Sequence, residues 1–265
     1  MDILERIVAD KRVEVAAAKA AVPEASLRER LAAAPPPIPF REALAASPHG
    51  IIAEFKRKSP SKGWIHEDVG PGQVVPGYAA AGAAAVSILT DGPYFGGCLD
   101  YVRQMRPLVD VPILRKEFII DRYQLVEARA AGADAVLLIA SCLDRETFVS
   151  LLDEAHALGL QVLLEVHSPD ELGYVTPEVD AVGVNNRHLG TFHTDVEVSF
   201  RMAGELRRRG LAGPDGPVLV SESGISSPGT VRRLRAEGFR GFLMGECFMK
   251  EADPGAALAS FVGAI

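Results

Sequence analysis

Asp121-Arg-Tyr-Gln-Leu-Val-Glu-Ala-Arg-Ala-Ala131, then Gly132-Ala133-Asp134, then Ala135-Val-Leu-Leu-Ile139, decides the fold of this chain. The first part reads as a helix, the glycine supplies the left-handed residue that stops it, and the last part is a short apolar strand. The same device recurs at Ala81-Gly82-Ala83, Leu158-Gly159-Leu160 and Glu237-Gly238-Phe239. β-rich apolar runs lie at 51–55, 85–89, 111–114, 135–139, 161–165, 181–184, 218–220 and 241–244. Helical segments such as Asp121–Ala131, Asp144–Leu158 and Pro228–Glu237 fall between them. The intervals 82–132, 132–159, 159–210 and 210–238 are 50, 27, 51 and 28 residues, or two, one, two and one units of similar length. Eight strands alternating with helices point to an α/β fold with the parallel sheet closed as a (β/α)8 TIM barrel. An open doubly wound sheet is the alternative, but no Gly-x-Gly-x-x-Gly turn follows the first strand. Val75-Pro76-Gly77 sits where the first barrel helix should run, so that helix is expected to be short or to start at Tyr78.

The beginning of the chain reads differently. Residues 2–20 set Ile3, Ile7, Val8 and Val13 among charges, as an amphipathic helix would. A second helix is expected around Ser26–Leu31, stopped by Pro35-Pro-Pro37. Residues 1–49 are therefore expected to form a helical extension packed on a barrel, within one domain spanning 1–265.

Composition narrows the class of function. The chain has 265 residues, 48% hydrophobic and 24% charged, which suits one globular barrel. Its 28 basic against 35 acidic residues give a net charge of −7, where a nucleic-acid binder would carry a basic excess. Cys98, Cys142 and Cys247 form neither a disulfide framework nor a CxxC metal site, and no zinc-ligand spacing or cofactor motif is present. No apolar run is long enough to span a bilayer. Met1-Asp-Ile-Leu-Glu-Arg lacks a signal-peptide apolar region. A cytoplasmic location is expected, with no membrane or nucleic-acid partner and no assigned protein partner.

In such a barrel the C-terminal strand ends face the active site. Here they read Glu54-Phe55-Lys56, Arg115-Lys116, Glu165, Asn185-Asn186-Arg187 and Ser221-Glu222-Ser223-Gly224. With a period of two, Glu54 and Lys56 share a face, as do Asn185 and Arg187. Any one of these charges alone is as well explained by an ion pair at the barrel rim. Five strands ending this way favour a catalytic centre, because desolvating so many ionisable groups is costly without a compensating role. Ser223-Gly224-Ile225-Ser226-Ser227-Pro228 is a glycine turn entering a helix, and Met244-Gly245-Glu246 follows the last strand. Loops after strands seven and eight are the usual phosphate cradle of these barrels. Lys56-Arg-Lys-Ser-Pro-Ser-Lys-Gly63 adds a basic loop, either a solvated charge run or a mobile lid over an anion. His66, His156, His167, His188 and His193 are scattered and receive no assignment.

These segments carry a resemblance. Ile51-Ile-Ala-Glu-Phe-Lys-Arg-Lys-Ser-Pro-Ser-Lys-Gly63, Ser87-Ile-Leu-Thr-Asp91 with Tyr94-Phe95, and Leu114-Arg-Lys-Glu-Phe-Ile119 resemble the indole-3-glycerol phosphate synthases of tryptophan biosynthesis. So do Leu163-Leu-Glu-Val-His167, Val182-Gly-Val-Asn-Asn-Arg187 and Ser221-Glu-Ser-Gly-Ile225, and together they run along the whole barrel. The resemblance implies ring closure with loss of carbon dioxide and water from a carboxyphenylamino-deoxyribulose 5-phosphate, with no cofactor. It implies Lys116 as general acid toward the ketone and Glu165 as base for a later proton removal. Lys56 would hold the substrate carboxylate or assist proton transfer and stand in the phosphate site, while Glu54 and Asn185 orient the intermediate. Arg187, Ser223 and Ser59 would contact substrate, and Gly224 with Gly245 would bind phosphate through the backbone. Pro60, Phe95, Phe118, Leu137 and Ile139 would form the pocket for the aromatic ring. Lys116 would need its pKa lowered to act as an acid, with Lys56 and Arg115 as the expected sources. Phe55, His188 and Glu246 depart from the family's usual residues, and Glu246 is expected to point away from the phosphate loop.

Two other functions stay open at this point. Another phosphate-binding barrel, such as a phosphoribosylanthranilate isomerase, would want a Cys–Asp pair at strand ends, where the three cysteines are not placed. A catalytically silent scaffold would have lost polar strand ends, and this chain has kept them.

Overall fold

Eight parallel strands pair in sequence order and the first pairs with the last, closing a barrel. The computed structural model describes residues 3–188, 190–213 and 216–265. The strands are β1 (Ile51–Phe55), β2 (Ala85–Leu89), β3 (Ile113–Lys116), β4 (Ala135–Ile139), β5 (Gln161–Val166), β6 (Ala181–Asn185), β7 (Val218–Glu222) and β8 (Gly241–Met244). The helices after the extension are α4 (Pro71–Ala80), α5 (Asp100–Met105), α6 (Arg122–Ala131), α7 (Arg145–Ala157), α8 (Glu197–Arg208), α9 (Pro228–Ala236), α10 (Glu246–Met249) and α11 (Pro254–Val262) among the described residues. The glycines read as helix stops at 82, 132, 159 and 238 all have positive φ. The alternation of side chains along each strand gives two apolar layers. One lies between sheet and helices; the other fills the barrel and includes Ile52, Leu114, Leu137, Leu163, Val220 and Leu243.

Two expectations are corrected. Strand β3 begins at Ile113, two residues after Val111, because Pro112 has no N–H for the ladder. Its carbonyl still accepts the Val86 N–H at 2.9 Å, and pairing starts at Val86 with Ile113. Helix α4 starts at Pro71, seven residues before Tyr78, with Pro76 inside it. The Gln73 side chain accepts the Gly70 N–H at 2.8 Å and sets the N-terminus. An interior proline costs about 3 kcal/mol. Burying Val74, Val75 and Tyr78, at about 1.5–3 kcal/mol each, outweighs it.

The extension wraps the barrel from both ends. Helix α1 (Ile3–Ala21) buries Leu4, Ile7, Val8, Lys11 and Val15, whereas Val13, expected on the apolar face, is 71% exposed. Helix α2 (Glu24–Leu31) lies against α6, and the Tyr123 hydroxyl donates to Ala18 and Val22 carbonyls at 3.1 and 2.8 Å. Helix α3 (Phe40–Ala46) pushes Phe40 and Leu44 into the inner apolar layer, plugging the N-terminal end of the barrel. Nearby, Asp134 accepts the N–H groups of Ile38 and Ile113, both at 2.7 Å, and pairs with Arg106. That carboxylate ties the linker after α2 to the start of β3.

Candidate active site

A cavity of about 520 Å³ opens at the C-terminal end of the barrel, and every side chain or glycine read from the sequence as a site residue lines it. Glu54, Lys56, Lys116, Glu165 and Asn185 come from strand ends, and Pro60, Phe95, Phe118, Leu137 and Ile139 form an apolar wall. Ser59, Arg187, Ser223, Gly224 and Gly245 complete the loop side. The inner apolar layer stops at these strand ends, so each strand's next inward residue meets the cavity.

The charges are interlocked. Lys116 donates to Glu165 and Glu222, both at 2.8 Å, and Lys56 donates to Glu54 at 2.5 Å. Asn185 donates to the other Glu165 oxygen at 3.0 Å. Burial pushes the Lys116 ammonium down, but Glu165, Glu222 and Glu54 outweigh it and hold the group above the ordinary lysine range. This overturns the expected lowering. Arg115 turns out of the barrel instead, donating to the Gln124 carbonyl at 2.6 Å and to Thr90 at 3.2 Å. A period-two strand cannot present two successive side chains to one face.

Two neighbours were missed by sequence reasoning. Glu222 is buried against Lys116; burial raises its carboxyl, Lys116 pulls it back and Glu165 repels it, leaving it at about 7. Its inward aim was available from the period of two, since Val218 and Val220 also face inward. Gly183 on the adjacent strand makes the room, because a Cβ there would lie 2.0 Å from Glu222 Oε1. His167 Nε2 lies 3.2 Å from Glu165 Oε1, an ion contact off the ring's N–H axis. Burial lowers its imidazolium, but Glu165 and Glu171 raise it to about 10. Glu165 itself is raised by burial and held well below the usual carboxylate range by Lys116 and His167. The two glutamates beside Lys116 are thus pushed apart. One stays ionised and the other takes a proton near neutrality.

The loop side is built differently. Ser223 and Gly224 both have positive φ, 69° and 75°, after β7. Asn186 holds this turn by donating to Ser221 Oγ at 3.1 Å and to the Ser223 carbonyl at 3.0 Å. Ser227 caps α9 through the Thr230 N–H. Lys58–Ser59 and Gly63–Trp64 pair as a small antiparallel hairpin, so the basic loop after β1 is structured. Glu246 does not point away, as expected, but lines the cavity and accepts from Lys62 at 2.5 Å. The basic loop supplies it with a counter-ion. His188 accepts the Gly190 and Thr191 N–H groups, each at 3.2 Å, and shapes the loop after Arg187. Phe55 packs outward on Tyr101 with ring centroids 5.8 Å apart, clear of the cavity. Ile3, Leu4 and Ile7 of α1 also line the site, which no local pattern indicated.

Charge is layered in this cavity. Buried carboxylates sit at the strand ends, while Lys62 and Lys250 stand exposed around the mouth and Arg187 is half-buried. A ligand with an anionic end toward the loops and a group to be protonated near Lys116 meets complementary charge at both ends.

The family model described as indole-3-glycerol phosphate synthase matches residues 4–261. A relative from Bacteroides thetaiotaomicron with that name is 56% identical over 264 residues, covering 100% of this chain and 99% of its own length. A relative of the same name from Leptothrix cholodnii is 44% identical, with 98% of each chain covered. Among solved structures, a mutant tryptophan synthase alpha-subunit from Pyrococcus furiosus superposes with a TM-score of 0.58 at 16% identity. It covers 82% of this chain and 97% of its own, and shows likeness of fold alone.

Proposed function

The chain belongs to the indole-3-glycerol phosphate synthase family, and from that premise we propose how its cavity carries out the reaction. The enzyme is a carboxy-lyase. It converts 1-(2-carboxyphenylamino)-1-deoxyribulose 5-phosphate into indole-3-glycerol phosphate, carbon dioxide and water. The single observation that carries the assignment of roles is the Lys116 ammonium clamped between Glu165 and Glu222, at 2.8 Å from each, in the cavity walled by Phe95 and Phe118.

The ring carbon bearing the carboxylate attacks the ketone carbon, and Lys116 gives its proton to the ketone oxygen as that oxygen gains charge. Carbon dioxide then leaves, its bonding pair returning to the ring. Lys116, reprotonated by Glu222, then gives a second proton to the new hydroxyl, which leaves as water while Glu165 takes a proton from the former sugar methylene and completes the indole. Glu165 suits the base because Lys116 and His167 keep it ionised. Glu222, poised at about 7, suits return of a proton to Lys116. Without substrate the carboxylates make Lys116 a reluctant acid. A substrate oxygen displacing one of them would weaken that hold, and protonation of Glu222 would weaken it further.

The apolar wall favours decarboxylation by receiving an anionic carboxylate where a neutral product is preferred. Lys56 assists proton transfer, Asn185 and Glu54 orient the intermediate, and Arg187, Ser59 and Ser223 contact the substrate. The backbone at Gly224 and Gly245, with Lys56, takes the phosphate. A Cβ at Gly245 would lie 2.9 Å from Glu54, so this position also keeps Glu54 in place. Residues 1–265 act as one domain, with 1–49 as its extension. The ligand is a small phosphorylated molecule in the cytoplasm, with neither nucleic acid nor membrane as partner; among the described residues no helix is long and apolar enough to cross a bilayer.

The test is direct. Purified protein mixed with the substrate should develop indole fluorescence with release of one carbon dioxide per product. Absence of both would reject the proposal.

A further inference from the structure

The apolar stripe of α1 runs Leu4, Ile7, Val8, then Lys11, then Val15, so a lysine occupies a core position and is 2% exposed. Burying an ammonium is tolerated only when it is paired. Lys11 Nζ lies 3.0 Å from Asp91, 3.0 Å from Glu117 and 2.7 Å from Glu14, and only Glu14 is exposed. Each of the two buried carboxylates has a second task. Asp91 Oδ1, in the loop after β2, accepts the Tyr94 and Phe95 N–H groups at 2.8 and 3.2 Å. Glu117, in the loop after β3, accepts the Phe118 N–H at 2.9 Å and the Thr90 hydroxyl at 2.7 Å. The residues whose backbone they hold, Phe95 and Phe118, face each other with centroids 6.0 Å apart and form part of the cavity wall.

We propose that Lys11 is a positioning residue: as the shared counter-ion of Asp91 and Glu117, it joins the extension to two loops and holds Phe95 and Phe118 at the spacing that accepts the substrate's aromatic ring. Without it, two buried carboxylates would face each other, and among the described residues only Arg115, 3.7 Å from Glu117, would give partial compensation. Repulsion would separate the loops, or protonation would weaken the caps on the Phe95 and Phe118 amides. Either outcome loosens the wall and leaves Lys116 and Glu165 on their strands. The inference rests on Phe95 and Phe118 receiving the aromatic ring.

Lys11→Met should raise KM at least tenfold while kcat stays within threefold, and Lys11→Arg should recover most of that loss. Val15→Ala is the control for stability, since Val15 packs in a separate cluster with Leu27, Tyr123 and Val126. It should lower the thermal midpoint with KM unchanged. Asp91→Asn keeps an acceptor for the Phe95 amide but weakens attraction to Lys11, and should raise KM even if Lys11→Met does not fold. A readout independent of turnover comes from Trp64, the chain's one tryptophan, whose ring packs on Gly96 beside Phe95. Acrylamide should quench it more strongly in Lys11→Met or Asp91→Asn than in Val15→Ala or wild type. Wild-type protein that does not turn over substrate would reject the activity while quenching still tests the positioning role. Wild-type KM and quenching in folded Lys11→Met or Asp91→Asn would overturn the proposal, as would equal effects from Val15→Ala.

Discussion

Lys116 shows how one side chain depends on its surroundings. Its ammonium is above the ordinary lysine range because three carboxylates surround it, and those carboxylates are tolerable because the ammonium is there. Lys116→Met removes the proposed acid and leaves Glu165 and Glu222 to repel each other. Turnover should fall below detection while substrate affinity, read by equilibrium titration, stays within tenfold. Wild-type turnover in the variant would remove Lys116 from the acid role. At this scale the strand-end site residues were legible in the sequence, since residue type and strand-end position suffice to name Glu54, Lys116, Glu165 and Asn185, whereas the α1 residues on the wall carry no such signal. The direction of the Lys116 shift was not legible. It depends on how closely Glu54, Glu165 and Glu222 approach the ammonium, and so on four strands at once.

At the scale of elements, the two ends of the barrel do different work. The C-terminal ends carry the ionisable cluster, while the N-terminal ends are tied by structural bonds such as those of Asp134. Asp134→Ala would orphan the Ile38 and Ile113 N–H groups, at about 1–3 kcal/mol for each, and would leave Arg106 without its carboxylate. A loss of about 3 kcal/mol should lower the thermal midpoint by roughly 6–12 °C, at about 2–4 °C per kcal/mol. The folded variant should keep kcat and KM, because no Asp134 contact reaches the cavity. Unchanged thermal stability would show that the linker is held by other contacts. Helix α4 carries the complementary lesson. Pro76 signalled a break, but three buried side chains outweigh one lost hydrogen bond, and only the packing reveals them.

For the whole molecule, two linkages are measurable. His167 is raised in the folded protein from 6.5 to about 10, by Glu165 and Glu171 against the opposing effect of burial. Its contribution to stability is therefore fully present below about pH 6.5 and is lost as pH rises through 10. His167→Gln should flatten the decline in thermal midpoint over that window. An unaltered slope would assign the decline to other groups. The second linkage is product binding. Gly224 has φ 75°, and a Cβ there would lie 2.4 Å from the Thr194 methyl group, so Gly224→Val should lower the thermal midpoint by itself. It should also raise KM at least tenfold and shrink the stabilisation by product. Product at 100 times Kd adds about 2.7 kcal/mol, and a tenfold weaker site forfeits about 1.4 kcal/mol of it. A folded variant with the full product shift would reject the phosphate assignment at this turn.

The sequence by itself determined the barrel, its strand order and the polar residues that end the strands at the cavity. Those properties follow from local causes: apolar runs of strand length, glycines that stop helices at regular intervals, and polar residues where strands end. The tertiary structure alone decided which charges meet. Lys11 and Glu117 are 106 positions apart, as are Lys116 and Glu222, and no periodicity couples such distant residues. Strand register and the lie of α1 across the mouth bring them within 3 Å. Protonation follows from that encounter, because in a buried site the field of near neighbours outweighs the intrinsic acidity of a residue.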